Sequence, residues 1–177
     1  MQVFKDWPRW RRAAAVLACA LGVTLEAAPL ARAAPPALAL DVDGEVRMTN
    51  NAAHTSFHFG EAQLLKLPSH SISTSTTWTP KSTFTGPLLS DVLKAVGAYG
   101  SQIEIHTIDD YTCVVPVADA ARYGVVLAYE MNGRRLKVSD FGPLFLIYPR
   151  DQYPLDLDGA AGDAKFAWQI KSMTIKR

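Results

Sequence analysis

The pair Asn132-Gly133 constrains this chain more than any other feature. It separates two runs, Val125–Met131 and Arg134–Val138, and both residues tolerate the positive φ angles of a two-residue turn whose twist matches paired strands. The chain therefore reverses here as a tight β-hairpin, and any fold it adopts must carry antiparallel strands in its second half. Apolar, β-branched-rich segments at 102–107, 112–115, 144–148 and 167–175 predict further strands. Residues 38–48 alternate around Asp43-Gly44 and predict a short hairpin or broken strand. The alternation from Ser71 to Trp78 puts Ile72, Thr74, Thr76 and Trp78 on one face of an extended segment. Helical spacing appears twice. Leu88, Leu89, Val92, Leu93 and Val96 recur on one face, with Gly86-Pro87 at the opening and Gly97 at the stop, and a shorter helix is expected over 117–122. The resulting fold class is α+β, strand-rich mixed sheets with a few short helices.

The start of the chain reads as an export signal. Lys5, Arg9, Arg11 and Arg12 form a basic region, Ala13 to Leu25 is an unbroken apolar run, and Ala31-Arg32-Ala33 offers the small residues that signal peptidase accepts. A spanning helix needs roughly 20 apolar residues, and this run ends sooner, at Glu26. The expected organisation is a cleaved signal peptide over 1–33, an N-terminal extension with the first strand or strands over 34–56, and one domain over 57–177. The expected location is the periplasm or the exterior. The general secretory route is expected, with Arg11-Arg12 leaving the twin-arginine route open, and no membrane span remains after cleavage.

Cleavage would remove five basic and two acidic groups from 18 and 17, leaving 13 and 15 and a net charge of −2. No basic stripe is left to track phosphates, which excludes nucleic acid as the expected partner. Of the two cysteines, Cys19 lies in the signal, so Cys113 stands alone and no intramolecular disulfide is expected. Its neighbours Val114 and Val115 mark it as a packed core thiol. His54 and His58 are four residues apart in a segment that looks extended, where that spacing separates side chains by about 13 Å. They do not form a metal pair. The Ser/Thr run 71–77 lacks the Gly-x-Ser-x-Gly turn and an identifiable base, so hydrolase chemistry is not expected.

In their order along the chain, Thr85-Gly86-Pro87-Leu88-Leu89-Ser90-Asp91-Val92-Leu93, Asp109-Asp110-Tyr111, Val125–Gly133, Gly142-Pro143-Leu144 and the strand from Trp168 to Ile175 resemble the sulfite-oxidase-type oxidoreductase molybdopterin-binding domain. The resemblance runs from Phe57 to Lys176. It implies a pterin dithiolene holding molybdenum together with one protein Cys, and exchange of an oxygen atom and two electrons with substrate.

This chain departs from that pattern at three places. Thr74 stands where the resemblance puts the metal-ligating Cys, and a hydroxyl is a poor ligand for a soft, dithiolene-bound metal at neutral pH. Phe145 stands where an Arg is expected within the Gly-Pro run, and Ala167 precedes Trp168 where a Lys is expected, with Lys165 two residues earlier as the substitute. The resemblance makes Thr74, Thr76, Trp78 and Lys165 the candidate cofactor-binding residues. Asp110 and Tyr111 become candidate catalytic groups, although Asp109-Asp110 also reads as a turn. No metal ligands are assigned. Molybdopterin is the implied cofactor, and molybdenum lacks its usual thiolate. Two functions follow: an oxidoreductase-type domain serving an envelope redox partner, or a non-catalytic periplasmic small-molecule- or protein-binding, or sensory, module on the same fold.

Overall fold

The computed structural model describes residues 38–177; the expected export signal and its cleavage site lie outside the described residues. The largest sheet has five strands: β1 (Leu40–Gly44), β2 (Ser56–Phe59), β5 (Gln102–Thr107), β6 (Thr112–Pro116) and β11 (Ile170–Lys176), in the order β2-β1-β11-β5-β6. β1 and β11 run parallel, and the other neighbours are antiparallel. The strands turn one face to the core, as their alternation dictates: Ile103, Ile105 and Thr107 of β5, Cys113 and Val115 of β6, and Met173 and Ile175 of β11 are all buried.

A four-stranded sheet contains β3 (Ser69–Thr74), β4 (Ser82–Pro87), β8 (Glu130–Met131) and β9 (Arg134–Arg135), in the order β3-β4-β8-β9. A third, two-stranded sheet pairs β7 (Val126–Ala128) with β10 (Phe145–Ile147). Every residue of these last two strands is buried, so the runs read as continuously apolar rather than alternating. Short helices connect the strands: α1 (Glu61–Leu64), α2 (Leu89–Ala95), α3 (Val117–Tyr123), α4 (Pro154–Leu157) and α5 (Ala160–Asp163).

The expected strands at 102–107, 112–115, 144–148 and 167–175, and both helices, are present within a few residues of the expected bounds. Four local expectations are corrected. Of the two expectations for residues 38–48, the broken strand forms and the hairpin does not; β1 ends at Gly44, whose φ of 84° turns the chain away, and pairs with distant β11 and with the next strand, β2. The extended segment from Ser71 stops at Thr74. The Thr76 hydroxyl then accepts from the backbone N–H of Trp78 at 3.1 Å and of Thr79 at 3.0 Å, a local side-chain turn that competes with the strand and ends the alternation. Pro87 closes β4 instead of opening α2, which starts at Leu89; lacking an N–H, it suits a strand end. The turn at Asn132-Gly133 forms with φ of 52° and 73°, but its hairpin is only two pairs long. Val126–Ala128 leaves it to pair with β10.

Gly86 explains why β4 and β7 can lie so close. The Tyr129 N–H donates to the Thr85 carbonyl at 3.0 Å, and a methyl group on Gly86 would fall 2.0 Å from the Leu127 carbonyl oxygen. Backbone cannot yield there as a flexible side chain would. Gly86→Ala is expected to cost about 3 kcal/mol, read as a fall in the denaturant midpoint at an unchanged slope; a loss under 0.5 kcal/mol would show that the two strands can separate freely.

Candidate functional site

A cleft of about 460 Å³ opens where the end of β5, the loop after β3 and the segment before β11 converge. Four aromatic rings line it, those of Trp78, Tyr111, Phe166 and Trp168, together with Thr107, Asp109, Asp163 and the small side chains of Ala160 and Ala164. Trp78 and Trp168 meet edge to face, with ring centroids 4.5 Å apart and planes at 64°, a contact worth about 0.5–1.5 kcal/mol beyond area burial.

Each wall has a local cause. Trp168 leans on Phe141, 5.9 Å away, and Phe145, 6.2 Å away, and Phe145 in turn contacts Phe84 at 5.7 Å. Phe145 is fully buried; the position at which the resemblance places a cation instead extends an aromatic platform beneath Trp168. The second wall is the turn between β5 and β6. Asp110, with φ of 64°, reverses the chain, and the Ile108 N–H donates to the Gln169 carbonyl at 2.9 Å, which ties the turn to the residue after Trp168. The Thr107 hydroxyl donates to the Asp109 carboxylate and holds that carboxyl below the usual carboxylate range, helped by the Tyr111 N–H at 3.4 Å. Partial burial pushes the Tyr111 phenol up.

The third wall, α5 and the loop bearing Trp78, is organised by two consecutive residues that sequence reasoning missed. Arg150 donates to Asp158 at 2.7 Å, to Asp163 at 3.0 Å and to the Thr77 hydroxyl at 2.9 Å, while Thr77 donates to Asp163 at 2.5 Å. Asp151 accepts from the Thr74 hydroxyl at 3.1 Å and from the N–H and hydroxyl of Ser75 at 3.0 and 2.8 Å, with Lys81 at 3.2 Å. These bonds hold the Asp151 carboxyl well below the usual range, the Ser75 backbone N–H being the leading cause. The available signal was a charged pair placed directly after the apolar run Leu144–Tyr148 and Pro149. Such a pair sits at the mouth of a buried strand, where backbone ends and loops converge.

Of the six candidate residues, Trp78 and Tyr111 come together in the cleft. Thr74 is fully buried behind it; its hydroxyl donates to the Asp151 carboxylate and accepts from the Asp151 N–H at 3.1 Å. Thr76 is spent on the turn that presents Trp78. Asp110 is exposed and paired with Lys171 at 2.8 Å, whereas its neighbour Asp109 lines the cleft. Lys165 points elsewhere: its ammonium bonds the buried Asp119 carboxylate at 2.8 Å, which also accepts from Tyr148 at 3.1 Å, and lies over the rings of Tyr123 and Tyr148. Cys113 is buried in the core, and burial pushes its thiol up to about 11. Among the described residues, no group of three or more His, Cys, Asp or Glu side chains is placed to hold a metal ion.

The strand-rich architecture and the aromatic cleft define an α+β domain of the molybdopterin-binding type. The chain belongs to the oxidoreductase molybdopterin binding domain family, whose sequence profile matches residues 60–152, just over half of the chain. The crystal structure of the sulfane dehydrogenase SoxCD from Paracoccus pantotrophus is similar in fold, with a TM-score of 0.57 at 18% identity, over 78% of this chain. This chain spans only 38% of that one. Comparison with curated protein sequences returns no match.

Because the Thr74 and Ser75 groups converge on Asp151, Asp151→Ala is expected to cost about 1–3 kcal/mol by leaving buried polar groups unpaired. The sign of the pH dependence follows from the lowered carboxyl. Its stabilisation is complete above the ordinary Asp value, about pH 4, and is lost as pH falls toward the depressed one. Urea titrations of both proteins should therefore converge at low pH; a constant difference down to about pH 2 would contradict this role.

Proposed function

We propose that this protein is an exported, non-catalytic binding module that keeps the fold of its family and uses the aromatic cleft without molybdopterin. The observation that carries the reading is the commitment of Thr74. At the position the resemblance equates with a metal-ligating thiolate stands a buried hydroxyl whose donor and acceptor are both engaged by Asp151. Ligation of a metal there would take the Thr74 hydroxyl out of its bonds with Asp151 and leave that carboxylate to Ser75 and Lys81 alone.

The charges of the cleft point the same way. Molybdopterin carries a phosphate, and anion recognition relies on Arg and Lys. Among the described residues, no Lys or Arg lines this cleft, and two carboxylates do. Arg150, the nearest cation of the wall, is already held by Asp158 and Asp163; Lys165 is held by Asp119 and Lys171 by Asp110. The residues present do not fit the cofactor.

Export is part of the proposal. It is supported by the basic region, the apolar run and the small residues at 31–33, and it places the module in the periplasm or outside the cell, where its partner would be an envelope redox or sensory protein. A second reading, a molybdopterin-dependent oxidoreductase, is favoured by family membership itself and would use Tyr111 as the group nearest a bound substrate.

Production of the full chain in cells that synthesise molybdopterin, followed by elemental mass spectrometry and fluorescence of the oxidised pterin, separates the two. Neither molybdenum nor pterin is expected to purify with the protein. Stoichiometric amounts of both would overturn the binding-module reading and establish the oxidoreductase.

A further inference from the structure

The composition of the cleft narrows its ligand, and the argument here rests on the proposal that no molybdopterin occupies it. Aromatic faces carry negative π density and attract cations within about 6 Å of a ring centroid. Trp78, Trp168 and Tyr111 present such surfaces to one space, and Phe166 closes it. A purely apolar cleft would take a neutral ring equally well, but this one has Asp109 and Asp163 in its lining.

The two carboxylates differ in how far their charge is already answered. Asp163 shares Arg150 with Asp158 and accepts from Thr77. Asp109 takes hydrogen bonds from Thr107 and Tyr111, both uncharged donors. The neighbouring cation Lys171 is taken by Asp110 on the outer side of the turn. Asp109 is thus a carboxylate at an aromatic cleft with no ion pair among the described residues, fixed in place by a turn that bonds its backbone to the chain beside Trp168. A cavity of about 460 Å³ admits a molecule considerably larger than a metal ion.

We infer that the cleft binds a small organic cation, a quaternary or aromatic ammonium compound, packed against the contacting Trp78–Trp168 pair with its charge toward Asp109. The aromatic rings supply contact area and cation–π attraction, Asp109 supplies the countercharge, and among the described residues no Lys or Arg lines the cleft to repel the ligand. The same features disfavour phosphorylated and carboxylated compounds, which would face two carboxylates.

The test is titration calorimetry of the purified protein with three probes of similar size: benzyltrimethylammonium, its neutral isostere (2,2-dimethylpropyl)benzene, and phenylphosphonate. Metal and pterin content is measured on the same sample. The cation should bind about tenfold more tightly than the neutral isostere, as expected for a cation over aromatic faces beside a carboxylate, and phenylphosphonate should not saturate. Asp109→Asn should weaken the cation about threefold or more while leaving the neutral probe unchanged, and Trp78→Leu should weaken both. Trp78 and Asp109 are solvent-exposed, so both variants should fold, and circular dichroism verifies that they do. Equal or tighter binding of either comparison probe, no saturable binding of the cation in the millimolar range, or a cation affinity indifferent to Asp109→Asn would overturn this assignment. Any of those results with metal- and pterin-free protein leaves the binding-module reading standing, whereas stoichiometric pterin in the sample overturns that reading itself.

Discussion

Everything distinctive about the cleft depends on two adjacent charges. Arg150 and Asp151 follow β10 and Pro149, and between them they hold the whole loop from Thr74 to Thr77: Asp151 takes Thr74 and Ser75, and Arg150 takes Thr77 together with α5 through Asp163. Trp78 comes next in the chain, so its position against Trp168 is fixed by hydrogen bonds that originate some 70 residues away in sequence. Charge-assisted bonds of this kind are shorter and stronger than neutral ones. Arg150 is mostly shielded, with 16% of its side chain exposed, so its pairs are screened less by solvent than surface pairs are.

The same pair shows how the family fold is held where this chain departs from the expected residue pattern. A metal-ligating side chain and the cations around an anionic cofactor are cross-links as well as reagents, because they tie loops from different sheets to one point. In this chain the loop after β3 is tied down by Asp151, the place expected for a cation is taken by the buried ring of Phe145, and the substitute Lys165 serves a separate buried network with Asp119 and Tyr148. Hydrogen bonds within the chain occupy the position of Thr74 and aromatic contacts that of Phe145.

Much of the fold was legible in the sequence, and the reasons are physical. β5, β6 and the Asn132-Gly133 turn declare themselves through period-two burial and obligatory positive φ. The strand β4 was hidden because Gly86-Pro87 matches the opening of a helix equally well, and only the close approach of Leu127 shows why glycine is there. The pairing of β1 with β11 was not legible, since a parallel partner lies far away in sequence and leaves no local mark. The site was half legible. Trp78 and Tyr111 were identified by the resemblance and meet in the cleft, but the strict alternation that grouped Thr74, Thr76 and Trp78 on one face ended at a side-chain turn no periodicity reveals. Asp109 stood in the motif beside the two candidates but read as a turn residue, and Asp163 and Arg150 became visible only when distant segments were brought together.

The central claim is that the protein's own side chains hold the cleft in shape. The measurement that tests it most directly is the far-ultraviolet circular dichroism couplet produced by two indoles in edge contact, recorded on metal- and pterin-free protein and on Arg150→Gln. A couplet in the unaltered protein that Trp78→Phe abolishes and Arg150→Gln sharply reduces, while the signal of the strands persists, is the result this account predicts. A couplet that is missing from the cofactor-free protein, or that survives Arg150→Gln at full strength, would contradict it.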